Sequence, residues 1–131
     1  MRIAGLYLPP RLYATGTTSR FQSLSSGLGW NLNLPLPPGT RDAAFAAAVA
    51  QGLDAIARRH PATLIVSVGF DAQAGDPTAT LAVVTEGFAA IGRHVAALGL
   101  PTVLIQEGGY LIERLGANLA AFLSGLQEPS A

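Results

Sequence analysis

The sequence predicts one α/β domain, a parallel sheet between layers of helices, from three observations. Strand patterns and helix patterns alternate along the chain, which favours parallel strands joined by right-handed crossovers. Residues 64–68 form a nearly continuous apolar run, typical of a strand that is covered on both faces. Two unusual polar segments, residues 69–71 and 107–110, follow predicted strands, and ligands bind beyond the carboxyl ends of strands in such sheets.

The chain begins with a segment that carries no periodic pattern. Residues 1–29 mix Pro, Gly, Ser and Thr with scattered aromatics, so we expect an irregular loop. Residues 30–34 alternate polar and apolar side chains, which predicts a half-buried first strand that Pro35 ends. The next pattern predicts a helix over residues 41–59, with Thr40 as its N-cap and an acidic first turn.

Two further strand and helix units follow in the same order. Residues 64–68 predict the second strand, and residues 71–80 predict a loop before a helix that Thr85 caps. A third strand over residues 102–105 leads to a last helix over residues 112–126. Residues 1–131 therefore form a single domain, with three strand and helix units over residues 30–126.

The composition excludes several functional classes. Eight basic residues balance eight acidic ones without a basic cluster, so we expect no nucleic-acid or membrane partner. The chain has no cysteine, so any metal must be held by carboxylates and imidazoles. It also lacks a signal segment, a spanning apolar stretch, a phosphate loop and a serine-hydrolase elbow. These features favour a cytoplasmic location.

Two residues at the strand ends are candidates for chemistry. Asp71 ends a buried strand, where a carboxylate is costly unless it is paired, hydrogen-bonded or bound to a metal. It is either a loop-bracing residue or a ligand. Tyr110 follows Gly108 and Gly109, which let the backbone turn tightly. Its phenol is either an oxyanion donor or an aromatic lid on the core.

Other polar residues favour structural roles. Asp76 precedes Pro77, a combination typical of the start of a turn. His60 lies at the predicted end of a helix, where the dipole favours a histidine, and His94 lies on a helix beside Arg93. With no HxH or HExxH motif, the chain cannot form a multi-histidine metal site by itself.

Five segments resemble, in order and spacing, the class II-like bacterial histone deacetylases and acetylpolyamine amidohydrolases. They read NLNLPLPPGT at residues 31–40, VSVGFDAQAGDP at 66–77, TEGF at 85–88, QEGGY at 106–110 and LGANLAAF at 115–122. The resemblance extends over about residues 12–126. Its most specific part is the combination of GFDAxxGDP with the later EGGY.

This resemblance implies a partial arginase-like or deacetylase-like fold and zinc-dependent hydrolysis of acetylated amines, such as acetyl-lysine or acetylpolyamines. In that family Asp71 takes the position of a zinc ligand. Tyr110 takes the position of the tyrosine that hydrogen-bonds the substrate carbonyl and its oxyanion. Gly108 and Gly109 take positions that shape the floor of the substrate channel.

The chain also departs from the family pattern. The Asp-x-His pair that supplies two further zinc ligands and the His-His pair that supplies the base have no counterpart here. We therefore expect the C-terminal portion of a deacetylase, inactive unless a missing N-terminal half complements it, with an exposed edge prone to self-association. The alternatives are a degenerate non-catalytic α/β fragment or binding module, and a nucleotide-binding module, which the missing phosphate loop disfavours.

Overall fold

Strands and helices alternate through the part of the chain that the computed structural model describes, which is residues 3–7, 32–78 and 80–128. In chain order these elements are β1 (Ile3–Tyr7), α1 (Asp42–Ala57), β2 (Thr63–Val68), α2 (Thr85–Ala96), β3 (Thr102–Gln106) and α3 (Ile112–Gln127). All strand pairings are parallel. The α/β class with a parallel sheet is therefore confirmed.

The central strand of the sheet is β2, since the strand order is β1-β2-β3. Ile3 lies opposite Thr63 in the first pairing, and Leu64 lies opposite Thr102 in the second. The two strands that lead into the polar segments, β2 and β3, are therefore direct neighbours. This adjacency brings their carboxyl ends together.

The first strand differs from the sequence prediction. Residues 32–34 form no strand, and residues 30 and 31 lie outside the described residues. The observed β1 lies within the segment that we expected to be an irregular loop. Pro35, Pro37 and Pro38 have no backbone N–H to donate to a ladder, so the chain beyond residue 34 offers few of the hydrogen bonds that a strand needs. The short apolar run of β1 instead pairs along β2 from Thr63 to Ser67.

The predicted cap of the first helix is one residue too early. Arg41 is the N-cap of α1, and its carbonyl accepts the N–H of Phe45 at 2.9 Å. The Thr40 hydroxyl donates to the carbonyl oxygen of Pro37 at 2.6 Å instead. Thr40 therefore closes the preceding turn rather than capping the helix.

The predicted cap of the second helix is also wrong. Val84 is the N-cap of α2, and its N–H donates to Asp42 Oδ1 at 2.8 Å. Thr85 is the first helical residue, and its hydroxyl donates to Asn118 Oδ1 at 2.8 Å. An acidic side chain at the start of α1 thus satisfies a donor at the start of α2, a cross-helix contact that local sequence does not reveal.

One hydrophobic core holds the helices against one face of the sheet. In β2 the residues Leu64, Val66 and Val68 are buried, whereas the alternate residues are only half-buried. The helices and the loop after β2 contribute the rest of the core, including Phe45, Val49, Leu53, Phe70, Phe88, Ile91, Val95 and Phe122. We expected β2 to be covered on both faces. In the described part of the chain it is buried on one face and half-buried on the other.

The opposite face of the sheet is apolar but open. Ile65 lies opposite Val103, and Ser67 lies opposite Ile105, so these four side chains share that face. Val103 and Ile105 are 52% and 46% exposed. The described residues supply no second helical layer over this face.

Candidate active site

The two polar segments at the ends of β2 and β3 are joined by backbone hydrogen bonds. The N–H of Phe70 donates to the carbonyl of Gly108 at 2.9 Å, and the N–H of Glu107 donates to that of Val68 at 3.1 Å. The side-chain amide of Gln106 also donates to the Gly108 carbonyl, at 3.0 Å. The expectation that the Asp71 and Tyr110 segments lie side by side is therefore confirmed.

Asp71 lies buried at the carboxyl end of β2, with only 9% of its surface exposed. Its Oδ1 atom is buried and has no hydrogen-bond partner. Burial raises the pKa of this carboxyl, the nearby Asp76 carboxylate adds to the rise, and a backbone hydrogen bond opposes it. A buried polar atom without a partner is uncommon in folded proteins and calls for an explanation such as an ion.

Two glycines leave room for this carboxylate. A Cβ atom on Gly69 would lie 2.7 Å from Asp71 Oδ1, and one on Gly108 would lie 2.7 Å from Asp71 Oδ2. A side chain at either position would force the Asp71 carboxylate to shift. The two glycines therefore let the carboxylate lie against the backbone of both polar segments. Gly108 thus lies against the Asp71 carboxylate. The role of Gly108 in a substrate channel stays a prediction.

Tyr110 presents its ring to solvent at the same edge of the sheet, with 56% of the residue exposed. It follows Gly109, whose φ of 127° lies in the region that side chains avoid. A Cβ on Gly109 would also lie 2.9 Å from Phe70 and from Leu115. The glycine therefore lets the chain turn over the core and project the tyrosine outward. The choice between an oxyanion donor and an aromatic lid stays a prediction.

Asp76 has a larger structural role than the turn that the sequence predicted. Its Oδ1 accepts hydrogen bonds from the N–H and hydroxyl of Thr78, at 2.8 and 2.7 Å, as expected of a turn. Its Oδ2 accepts hydrogen bonds from the backbone N–H groups of Tyr110 and Leu111, at 2.7 and 3.1 Å. Burial opposes ionisation, but these hydrogen bonds prevail and lower the pKa of Asp76. The sequence does not reveal the hydrogen bonds from Tyr110 and Leu111, because these residues are 34 and 35 positions away from Asp76.

The two histidines lie away from this site and are exposed. His60 follows α1 with a φ of 50°, and His94 lies in the last turn of α2, as expected for residues at a helix end or on a solvated face. Among residues 3–7, 32–78 and 80–128, no three His, Cys, Asp or Glu side chains are grouped to hold a metal. None of the helices in this part of the chain is long and apolar enough to cross a membrane.

Comparison with known proteins identifies the family of this site. Residues 10–126 match the sequence pattern of the histone deacetylase domain. The chain belongs to the histone deacetylase family. The acetylpolyamine amidohydrolase of Burkholderia pseudomallei strain 1710b is 48% identical over 99 residues, and histone deacetylase 10, chloroplastic, of Oryza sativa subsp. japonica is 42% identical over 112 residues. The family resemblance of the GFDAxxGDP and EGGY segments is thus confirmed.

The fold agrees with this family assignment. The crystal structure of acetylpolyamine aminohydrolase from Burkholderia pseudomallei, from an iodide soak, superposes with a TM-score of 0.72 at 47% identity. That superposition covers 76% of this chain and 29% of the other. The sequence match to the Burkholderia protein covers 76% and 29%, and the match to the rice protein covers 80% and 25%. The chain therefore spans less than a third of the length of these relatives.

Proposed function

We propose that this chain carries two functional groups of a zinc-dependent deacetylase that hydrolyses acetylated amines. Asp71 is the zinc ligand, and the Tyr110 phenol donates to the substrate carbonyl. The observation that carries this proposal is the buried Asp71 carboxylate, whose Oδ1 has no partner at the carboxyl end of β2. Such an atom is unfavourable unless a donor or a cation completes it.

Zinc fits this carboxylate as one ligand of several. Zn²⁺ binds carboxylate oxygens together with imidazoles, and a catalytic site normally has three protein ligands and one open position. Asp71 is the one carboxylate at this edge with an unpartnered buried oxygen in the described part of the chain. The remaining ligands must therefore come from elsewhere in a complete site.

The neighbouring residues support a hydrolytic role. Zinc in such a site polarises an amide carbonyl and makes a bound water nucleophilic at neutral pH. The Tyr110 hydroxyl would donate to the carbonyl oxygen, with a hydrogen bond that strengthens as negative charge develops there. Gly108 and Gly109 would form the floor beside this oxygen, because the lack of a Cβ lets a substrate approach the backbone. A histidine base would complete the proton transfers.

The open apolar surface of the chain supports completion by another part of the family domain. Val103 and Ile105 are exposed on the face of the sheet opposite the core, and Ile112, at the start of α3, is 77% exposed. Among the described residues, β3 has no neighbour on its outer edge. Such faces and edges are normally covered in stable proteins. We propose that the missing ligands and the base lie in the covering part, on the same polypeptide or on a separate chain.

The substrate is an acetylated amine, either an acetyl-lysine side chain or an acetylpolyamine. The chain matches relatives named acetylpolyamine amidohydrolase and relatives named histone deacetylase. We also propose that the protein works in the cytoplasm without nucleic acid or membrane as a partner. The second candidate function is a non-catalytic binding module, which the single ligand in the described residues favours.

The test is reconstitution. The chain is co-expressed with the part of the Burkholderia pseudomallei amidohydrolase that lies outside the match, and the complex is assayed on acetyl-lysine and acetylpolyamine substrates. We expect turnover from the complex but not from the chain alone. Turnover should disappear with Asp71→Asn and persist with Asp54→Asn, a control on the exposed face of α1. A folded, zinc-containing complex without turnover would favour the binding module.

A further inference from the structure

Asp76 forms a bridge between the loop after β2 and the residue that the proposed function places over the substrate. Both of its carboxylate oxygens accept two hydrogen bonds, and only 5% of the residue is exposed. One oxygen serves Thr78, and the other serves the consecutive N–H groups of Tyr110 and Leu111. The carboxylate therefore has no acceptor capacity directed toward a ligand, and its role lies in the backbone it holds.

The backbone that Asp76 holds is otherwise lightly constrained. Tyr110 is more than half exposed, so packing of its ring contributes little to its position. It follows the unusual φ of Gly109 and precedes Leu111, the N-cap of α3, where no side chain provides a cap. The two hydrogen bonds that Tyr110 and Leu111 donate to Asp76 connect this junction to a loop 34 and 35 residues earlier.

We propose that Asp76 is a positioning residue for Tyr110, fixing the backbone from which the phenol reaches the substrate carbonyl. This inference rests on the proposed role of Tyr110. A donor that stabilises a developing oxyanion must be held in place before the reaction, and misplacement by about 1 Å can lower the rate by about 100-fold. Asp76 would thus act on turnover without contact with substrate or metal.

An asparagine replaces this carboxylate only in part. All four partners of Asp76 are donors, two on each oxygen. Asparagine offers one acceptor oxygen and one NH₂ donor, so either the Thr78 N–H or the N–H groups of Tyr110 and Leu111 would lose their acceptor. If the oxygen faces Tyr110 and Leu111, their hydrogen bonds persist and the Thr78 hydroxyl can accept from the NH₂ group. The decisive variant is therefore Asp76→Ala, which offers no acceptor to either side. A matched control is Thr78→Val, which removes a donor from the same carboxylate but leaves the Tyr110 side intact.

The first test is amide hydrogen exchange of the full chain, followed by NMR. We expect Asp76→Ala to reduce protection at Tyr110 and Leu111 while Phe70 and Glu107, which donate to Gly108 and Val68, stay protected. Thr78→Val should leave Tyr110 and Leu111 protected. Unchanged protection in Asp76→Ala would overturn the proposal. If that variant does not fold, the trans-hydrogen-bond coupling between the Tyr110 nitrogen and Asp76 Cγ in the unsubstituted chain decides, and its absence overturns the proposal.

The second test separates positioning from a general structural effect. In the reconstituted enzyme, Asp76→Ala should lower kcat about 10- to 100-fold with little change in KM, and should lower it no further in a Tyr110→Phe background. An equal loss in that background would mean that Asp76 acts elsewhere, for example through Asp71, and would overturn the proposal. If Tyr110→Phe alone leaves kcat unchanged, the proposed role of Tyr110 fails. Amide hydrogen exchange still tests whether Asp76 holds the Tyr110 and Leu111 backbone.

Discussion

The loop after β2 carries two aspartates in opposite environments. Asp71 and Asp76 are both buried and lie five positions apart. Asp76 accepts four hydrogen bonds, and its pKa is lowered. Asp71 has an oxygen without a partner, and its pKa is raised. The first carboxylate is satisfied by the fold, whereas the second is not.

This difference separates a structural acid from a functional one more sharply than sequence context does. Both residues lie in the one short motif GFDAxxGDP, and each could be read as a loop-bracing side chain. The fold completes Asp76 with its own donors and leaves Asp71 destabilising, as is common at sites kept for a ligand. The comparison predicts that equivalent substitutions at the two positions have different consequences.

The largest effect is expected at the unsatisfied end. Asp71→Asn in the reconstituted enzyme should remove tight zinc binding and reduce turnover to the level of the buffer, because a charged ligand becomes a neutral and poorer one. Metal content after dialysis and steady-state turnover measure both effects. Retained zinc and activity would show that Asp71 only braces its loop.

Tyr110→Phe should have the next largest effect on turnover. It removes the phenolic donor but no metal ligand, so zinc content should stay the same while kcat falls about 100- to 1000-fold. Thr102→Val serves as a control for loss of a hydroxyl at the other end of β3, where Thr102 donates to the carbonyl of Leu100. Equal kcat values for the two variants would remove Tyr110 from the reaction.

Gly108→Ala should affect the metal site without a large cost in stability. Its new Cβ would lie 2.7 Å from Asp71 Oδ2, and the carboxylate at the end of a side chain would move aside. We expect zinc affinity in the reconstituted enzyme to fall about 10- to 100-fold. Gly116→Ala is the matched control, because a Cβ there meets nothing within 4 Å. Equal zinc affinities would show that the position of the carboxylate is not critical.

In the isolated chain, Asp76→Asn should lower the free energy of unfolding more than Asp71→Asn does, the reverse of their order for turnover. Asp76→Asn should lower the free energy of unfolding by about 2 to 4 kcal/mol, because buried N–H groups lose a charged acceptor. Asp71→Asn should leave it unchanged or raise it by up to about 1 kcal/mol, because it removes a buried charge with an unpartnered oxygen. Urea unfolding at neutral pH measures both values. Similar losses in the two variants would contradict the comparison.

The smallest effect is the pH dependence of that stability. The folded pKa of Asp76 is lowered, so its contribution is present above the unfolded value of about 3.9 and is lost as the pH falls through the folded pKa. The folded pKa of Asp71 is raised, so stability falls as the pH rises from about 3.9 to that value. Asp76→Asn should remove the first change, and Asp71→Asn should remove the second. Identical pH profiles of urea unfolding for the two variants would contradict these assignments.

Sequence patterns predicted the parts of the site that depend on neighbouring strands. The apolar runs of β2 and β3 and the glycine-rich segments after them were sufficient to bring Asp71 and Tyr110 to one edge. The bridge from Asp76 was not predictable, because a contact over 34 positions has no period, and Asp-Pro also describes an ordinary turn. The first strand was missed because its five residues, interrupted by Gly5, carry too weak a pattern to stand out from a loop.

The most direct test of the central claim is a calorimetric zinc titration of the purified chain and of its reconstituted complex. The account predicts weak zinc binding by the chain alone, because Asp71 is a single ligand. It predicts one tight zinc per complex, lost with Asp71→Asn. Stoichiometric submicromolar binding by the chain alone, unaffected by Asp71→Asn, would contradict the account and would direct attention to His60 and His94.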